Sequence, residues 1–449
     1  MYFSIKNFGC RLNQHEGEII VERLLLEGFK PTSWKNADIV LVNGCTVTAR
    51  ADQKLRQFVH RIRRENPQAK ILITGCTAIA MNNELLPPIS GTALIDKSHR
   101  YDIAKLFEST EIDSKYIQPD NDLKCISDTS PMELDFPIIY GLNISRTRAR
   151  LKIQDGCDNR CAYCIVPLVR GNSRSRPLDK IIHQMEILID KGFKEIVLTG
   201  VDIGDWNYDN LHLADLIRRI LDETKVYQLR LSSLEPPSLS DELVNLIASE
   251  ERIAPHLHIP LQSGSDRLLR KMNRPQYDVM AIMKKLQNIR LQREEVCFGA
   301  DIIVGYPAET AEDFSKTESI LESGVFAYSH IFKFSPRPGT KASNLKLIPG
   351  NVMSERAERL QYLDRKNRYN FAKQFLGKKL EFIVEQSKPI SSVSAGRMSD
   401  KGEIADRIAI GHTGNYLKVY AKGVASKGSI AYFRVEDFAE MKVSGKIVK

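Results

Sequence analysis

Apolar runs and helical stripes alternate along the first part of the chain. Tyr2 to Phe8 is a short strand pattern that ends at Gly9-Cys10. Gln14 to Leu26 repeats apolar residues at helical spacing (Ile19, Ile20, Leu24, Leu25) and closes at Gly28. Asp38 to Val42 is a second apolar strand, ending at Asn43-Gly44-Cys45, and the basic helix Ala51 to Glu65 stops before Pro67. Lys70 to Thr74 is a third strand, ending at Gly75-Cys76. Strands alternating with helices predict an α/β unit over residues 1–110, a doubly wound parallel sheet.

Residues 111–145 hold Pro119, Pro131 and Pro137 and no repeat, as a linker would. From 146 to 375 the alternation returns. Strand patterns lie at Leu151 to Gln154, Glu195 to Thr199, Gln228 to Ser232, His256 to Pro260, Val296 to Ile303 and Ala327 to Phe334, with helical stripes between them. Six such units predict a full or partial (β/α) barrel, whose functional loops follow the carboxyl ends of the strands. A charged helix, Ser354 to Phe375, leads to a tail of a different kind. Over 377–445 short alternating runs separated by Gly turns (LEFIVEQ, YLKVYAKG, SIAYFRV) predict a small antiparallel β-barrel.

Charge sharpens the picture. Lys+Arg number 65 against 56 Asp+Glu, a formal net charge of +9. From Gly377 onward there are 13 Lys/Arg and 8 Asp/Glu, so much of the excess lies in the tail, where Tyr416, Lys418, Tyr420 and Lys422 interleave. A basic, aromatic small barrel suits single-stranded nucleic acid. No apolar stretch approaches the ~20 residues that span a bilayer, and no apolar signal segment opens the chain, so no membrane is expected and a cytoplasmic location is.

The candidate chemistry is in the cysteines. Cys157, Cys161 and Cys164 stand in DGCDNRCAYCIVP, a C-x3-C-x2-C run on the loop after the first barrel strand. A closed zinc site would want four ligands, and no His stands within several residues. Three thiolates match a four-iron cluster with one iron left open. A second trio, Cys10, Cys45 and Cys76, is dispersed, but each member follows a strand and is preceded by Gly. In an open α/β sheet such positions share the carboxyl edge, so the three thiols can converge on a second cluster. Cys297, in Val296-Cys297-Phe298, reads as core. Cys125 has no assigned role.

DGCDNRCAYC resembles the signature of radical S-adenosylmethionine (SAM) enzymes, with Tyr163 as its aromatic residue. The whole chain is similar to the methylthiotransferases of that group, in the strings FGCRLNQHEGE, NGCTVTARADQKLRQ and RARLKIQDGCDNRCAYCIVPLVRG. Arg11-Leu12 resembles the branch acting on N6-threonylcarbamoyladenosine (t6A). The isopentenyladenosine branch typically has Gln-Met there, and the ribosomal-protein branch Pro-Lys. The chain departs from the family pattern at Asn43-Gly44-Cys45, usually Asn-Thr-Cys, and at Thr77-Ala-Ile-Ala80, where a Gln is common.

The resemblance implies an N-terminal domain with an auxiliary cluster, a radical-SAM barrel and a C-terminal RNA-binding TRAM domain. It implies two [4Fe-4S] clusters and SAM. The cluster on Cys157, Cys161 and Cys164 would bind and cleave SAM to a 5′-deoxyadenosyl radical, activating C2 of the base. The other, on Cys10, Cys45 and Cys76, would carry the sulfur. Tyr163, Thr199, Gly200, Ser232, Ser233 and Gln262 are the expected cofactor contacts, with Gly305-Tyr306-Pro307 as an apolar shelf for adenine. Asp155 and Arg170 would pair with each other or with substrate, and Arg146, Arg148 and Arg150 would grip phosphates. The expected partners are the anticodon loop of a tRNA of the NNU- or ANN-decoding class, modified at position 37, and an electron donor such as flavodoxin or ferredoxin. The alternatives are a sister methylthiotransferase acting on isopentenyladenosine-37 or a ribosomal protein, and a non-catalytic zinc-containing RNA-binding protein.

Overall fold

The structure is a computed structural model that describes residues 1–95, 100–101, 103, 136–142, 146–274, 277–389 and 407–448. Cys125, Pro119, Pro131 and most of the expected linker lie outside these residues.

Five parallel strands form the N-terminal sheet: β1 (Tyr2–Asn7), β2 (Lys30–Pro31), β3 (Ile39–Gly44), β4 (Lys70–Gly75) and β5 (Ala93–Leu94), in the order β2-β1-β3-β4-β5. The alternation along β3 decides which helix covers which face. Ile39 and Leu41 pack with Ile19, Ile20 and Leu24 of α1 (Arg11–Leu26). Val40 and Val42 pack with Leu55, Val59 and Ile62 of α2 (Ala49–Glu65). With one helix on each side, the sheet is doubly wound as expected. The short α3 (Cys76–Asn82) starts where β4 stops.

Six further strands run parallel: β6 (Arg148–Lys152), β9 (Glu195–Thr199), β10 (Gln228–Leu231), β11 (His256–Gln262), β12 (Cys297–Val304) and β13 (Tyr328–Lys333). Bridges from Leu229 to Ile253 and from Ser233 to His258 join the two triplets into one curved sheet. Among the described strands β6 and β13 do not pair, so the barrel is partial, open along one side. Outward residues such as Leu151, Leu198, Leu231 and Ile259 meet the surrounding helices in one continuous core. A two-residue hairpin, β7 (Gln154–Asp155) with β8 (Arg174–Ser175), follows β6 rather than prolonging it. The helix α4 (Val166–Arg170) lies between β7 and β8, at the end of the cysteine loop.

The N-terminal domain covers the open side. Arg150 of β6 donates to Glu18 of α1 at 3.0 Å, and Arg337, beyond β13, pairs with Asp52 of α2. The remaining strands are β14 (Lys379–Pro389), β15 (Arg407–Thr413), β16 (Lys418–Lys422), β17 (Ile430–Ala439) and β18 (Lys442–Val448), which close a small barrel. It is antiparallel except that β16 and β18 run parallel. Cys297 is fully buried where the two barrels pack, as expected of a core residue. Among the described residues no helix is long and apolar enough to cross a membrane.

Candidate active site

Each of Cys10, Cys45 and Cys76 sits just past a strand, and the three meet at the carboxyl edge of the sheet. Cys10 caps α1, Cys45 follows β3, and Cys76 opens α3. The glycines before them permit the approach. Gly9 has φ +109°, and a Cβ there would stand 2.1 Å from Cys45 Cβ. A Cβ on Gly44 would stand 2.4 Å from Thr77 Oγ1, so the two departures from the family pattern touch one another. Asn13 Oδ1 lies among the thiols, accepting from Cys10 Sγ at 3.8 Å and Cys76 Sγ at 3.9 Å.

The other trio is held by a loop pinned at both ends. Gly156, at φ +79°, leaves no room for a side chain because a Cβ would lie 1.9 Å from Asn172 O. Cys157 N donates to Gly171 O at 3.1 Å, and Ala162 N donates to Met272 O at 2.9 Å. Gln154 ties the loop to the next strand end: its Nε2 donates to Gly156 O at 2.8 Å, and its Oε1 accepts from Val201 N and Asp202 N. Arg274 Nη1 reaches Cys161 Sγ at 3.5 Å and Tyr163 Oη at 3.3 Å, and the same guanidinium pairs with Glu235.

Cys45, Cys76 and Cys161 are buried and Cys157 and Cys164 half-buried, and in each trio a neighbouring sulfur disfavours the thiolate form. Burial pushes the Cys76, Cys157 and Cys164 thiols up to about 12 and also raises Cys45 and Cys161. Arg170 opposes this at Cys76, where its Nε lies 3.2 Å from Sγ. Thiols so raised become thiolates when a cation replaces their protons, as metal ligation does. Three convergent sulfurs in each place fit an iron–sulfur cluster.

A cavity of about 200 Å3 lies beside Cys164, with residues that closely follow Cys45 on its other wall. Val47 and Thr48 line it from the N-terminal domain, and Tyr163, Cys164, Gln262 and Asp301 from the barrel. Gln262 has φ +66°, as it leaves β11. The other expected contacts are set back. Thr199 is buried beside Lys152, and Gly200 packs on Gln154. Ser233 bridges to His258, and Ser232 is buried with its Oγ unpaired among the described residues.

Three expectations are corrected. Tyr306 is no adenine shelf: it is 1% exposed, with its ring edge-on to Phe334 and its hydroxyl on Lys271 O. Arg148 and Arg150 are not a surface grip, because their positions on β6 face the barrel lumen, where they pair with Glu195, Glu385 and Glu18. Tyr416 turns inward, stacking 4.5 Å from His256, and so leaves Tyr420 with Lys418 over its ring on the small barrel. Asp155 and Arg170 do pair with each other, at 2.9 Å. Arg274, Glu235 and Asn13 went unnoticed in the sequence. The Arg274–Glu235 pair joins loops 39 residues apart, which no local spacing reveals.

The comparisons agree with this geometry. Residues 151–320 match the Radical SAM superfamily and residues 2–95 the Uncharacterized protein family UPF0004. The chain is 36% identical over 388 residues to the threonylcarbamoyladenosine tRNA methylthiotransferase MtaB of Rickettsia prowazekii, covering 85% of this chain and 87% of the relative. It is 33% identical over 436 residues to the protein of that name from Thermotoga maritima, covering 95% and 96%. A tRNA-2-methylthio-N(6)-dimethylallyladenosine synthase from Erythrobacter litoralis is 30% identical over 395 residues, 86% of each chain. In fold the chain is similar to the radical SAM methyltransferase TsrM of Kitasatospora setae, solved with cobalamin and a [4Fe-4S] cluster, with TM-score 0.53, 15% identity, and 76% and 77% of the two chains covered. The chain belongs to the radical S-adenosylmethionine family of tRNA methylthiotransferases.

Proposed function

We propose that the chain converts t6A at position 37 of tRNA to 2-methylthio-t6A, with one [4Fe-4S] cluster on Cys157, Cys161 and Cys164 and a second on Cys10, Cys45 and Cys76. The observation that carries this is one cavity bounded by both trios' surroundings, with Thr48 on one wall and Tyr163 and Cys164 on the other. When bound, the two clusters and SAM supply the one-electron chemistry and the sulfur that no side chain offers at an aromatic C–H.

The chain's own residues position the site and oppose its charge. Gln154 fixes the loop of Cys157 against the strand end at Gly200, where the carbonyl and side-chain groups beyond β9 can receive the methionine end of SAM. Arg274 stands against Cys161 and Tyr163 and opposes the charge that thiolates bring. Arg170 does the same for Cys76. The N-terminal domain, seated over the open side of the barrel, supplies one wall of the cavity through Val47 and Thr48.

The division of labour follows the three units: residues 1–110 for the sulfur-carrying cluster, 146–375 for SAM, and 377–445 for RNA. The electron donor is read as a small acidic carrier of the flavodoxin or ferredoxin kind. Mass spectrometry of tRNA nucleosides from cells with and without the chain tests the substrate. Loss of 2-methylthio-t6A with accumulation of t6A is the expected result; an unchanged t6A pool with loss of 2-methylthio-isopentenyladenosine would move the chain to the sister branch.

The small barrel gives a second test. Counterion release makes log affinity fall linearly with log salt, by about 0.7 for each phosphate contacted on a single strand. Lys418→Gln with Lys422→Gln is therefore expected to flatten the slope for tRNA by about 1.4, measured by filter binding between low and moderate salt. An unaltered slope would remove these lysines from the RNA face.

A further inference from the structure

The opposite end of the partial barrel holds a second cavity, of about 460 Å3, which is the size of a small-ligand pocket. Its walls are the amino-terminal residues of β6, β9 and β10, and Tyr416 of the small barrel and Arg11 of α1 help to close it. In an ordinary parallel barrel these inward positions carry branched apolar side chains. Here five arginines (Arg11, Arg146, Arg148, Arg150 and Arg230) face it, against Glu195 and Glu385 in the lining and Glu18 behind Arg146 and Arg150.

The glutamates do not satisfy the arginines. Glu195 accepts from Arg230 at 2.6 and 3.0 Å and also faces Arg148 at 3.0 Å, so one carboxylate serves two guanidinium groups. Burial alone would raise Glu195, but the two arginines outweigh it and hold the group ionised, at about 2. Arg230 is 1% exposed, and its Nη1 has no hydrogen-bond partner among the described residues. A buried donor left open in a polar cavity is costly unless something fills it. The excess of positive charge says that the missing partner is an anion.

The cavity is close to the chemistry. Arg11 directly follows Cys10, and its Nη2 donates to Tyr416 Oη at 2.8 Å. Along β6, the four residue steps from Arg148 to Lys152 span roughly 13 Å at about 3.3 Å per residue. The cavity is thus the floor of the lumen whose upper end carries the cysteine loop.

We infer that this cavity receives the carboxylate-bearing substituent on N6 of the target adenine, with Arg148 and Arg230 as its principal donors. This rests on the t6A reading above and deepens it. A threonylcarbamoyl group ends in a carboxylate and a hydroxyl, which match the planar fork of a guanidinium. A dimethylallyl group is apolar and would leave Arg230 Nη1 without a partner. The other anion a tRNA brings is a backbone phosphate, which every tRNA has whatever its base carries.

The test uses the full chain loaded with its clusters and one tRNA in two forms, with t6A or with unmodified adenosine at position 37. The wild-type chain is expected to bind the t6A form tighter by at least roughly tenfold, a conservative floor beneath the cost of stranding one partner of a buried charge pair. Arg148→Met is expected to bring that ratio towards one. Equal weakening of both tRNAs would assign the cavity to a phosphate and overturn the inference, as would an unmoved ratio.

Because a substitution here can disturb folding, the wild-type chain supplies an independent measurement. Free t6A nucleoside is expected to compete with t6A-bearing tRNA, and its neutral carboxamide to compete at least roughly tenfold more weakly, since the charged partner is gone. Equal competition overturns the inference. Product formation on the t6A-bearing tRNA, read in the same samples, separates the two claims. Product without discrimination between acid and amide sinks the cavity's role alone, whereas absence of product sinks the t6A reading beneath it.

Discussion

Replacing Cys157, Cys161 and Cys164 together by Ala should halve the iron of the anaerobically loaded chain, from about eight to about four per molecule, and abolish SAM cleavage. Replacing Cys10, Cys45 and Cys76 should remove the same amount of iron but leave SAM cleavage to methionine and 5′-deoxyadenosine in place, while methylthio product disappears. The asymmetry follows from placement. The first trio sits on a barrel loop tied by Gln154 to the strand ends that would hold SAM, and the second belongs to a separate sheet with its own core. Each trio loses its ligands without touching the backbone ties of the other, because the loop at Cys157 is anchored by Gly171 and Met272. Iron and sulfide analysis with assay of 5′-deoxyadenosine decides the matter. A native chain that holds only four irons, or either triple variant emptying both sites, would end the two-cluster reading.

What could be read from the sequence was whatever is local. The strand ends at Cys10, Cys45 and Cys76 were visible because apolar runs stop at Gly-Cys three times, and a parallel sheet sends such ends to one edge. The cysteine loop was visible from spacing alone. The direction of side chains inside the barrel was not. Arg148 and Arg150 looked like a basic surface edge because charge in a strand is ordinarily solvated, but the period of two along β6 puts Ala149 and Leu151 on the helix side and the arginines in the lumen. Tyr416 read as an RNA-stacking residue because it alternates with lysine. Only the packing of the small barrel against the large one shows that it stacks on His256. Tyr306 follows a strand end, as a ligand contact would, yet its ring is packed against Phe334 and left no face for adenine. Pairings between distant loops, such as Arg274 with Glu235, or between domains, such as Arg337 with Asp52, have no sequence period at all.

Arg170 joins the two halves of the site, and its loss should be among the most damaging single changes in the chain. All five of its N–H groups are engaged: Nη1 with Glu16 and Asp155 at 2.9 Å each, Nη2 with Asn13 at 2.7 Å and Glu16 at 3.0 Å, and Nε with Cys76 Sγ at 3.2 Å. Glu16 and Asp155 are both fully buried, and Arg100, Lys152 and Arg174 also pair with one or other of them. Such a network is weak evidence of net stabilisation as a whole, since burying these charges costs nearly what their attraction returns. Removing one member is different. Arg170→Met would leave two buried carboxylates short of charge and Asn13 and Cys76 short of a donor, at a cost of about 3–5 kcal/mol. Arg170→Lys keeps the charge but cannot reproduce the fork, so it should fall between. Because Glu16, Asn13 and Cys76 belong to the N-terminal domain and Asp155 to the barrel, the loss should show first as loosening between them. Limited proteolysis of the native and variant chains, with denaturant unfolding, measures this. In Arg170→Met the iron expected on Cys10, Cys45 and Cys76 should also fall while that on the barrel loop stays. Unchanged stability in Arg170→Met would mean that water replaces the guanidinium at no cost, and Arg170 would then be a bystander rather than the joint between the two domains.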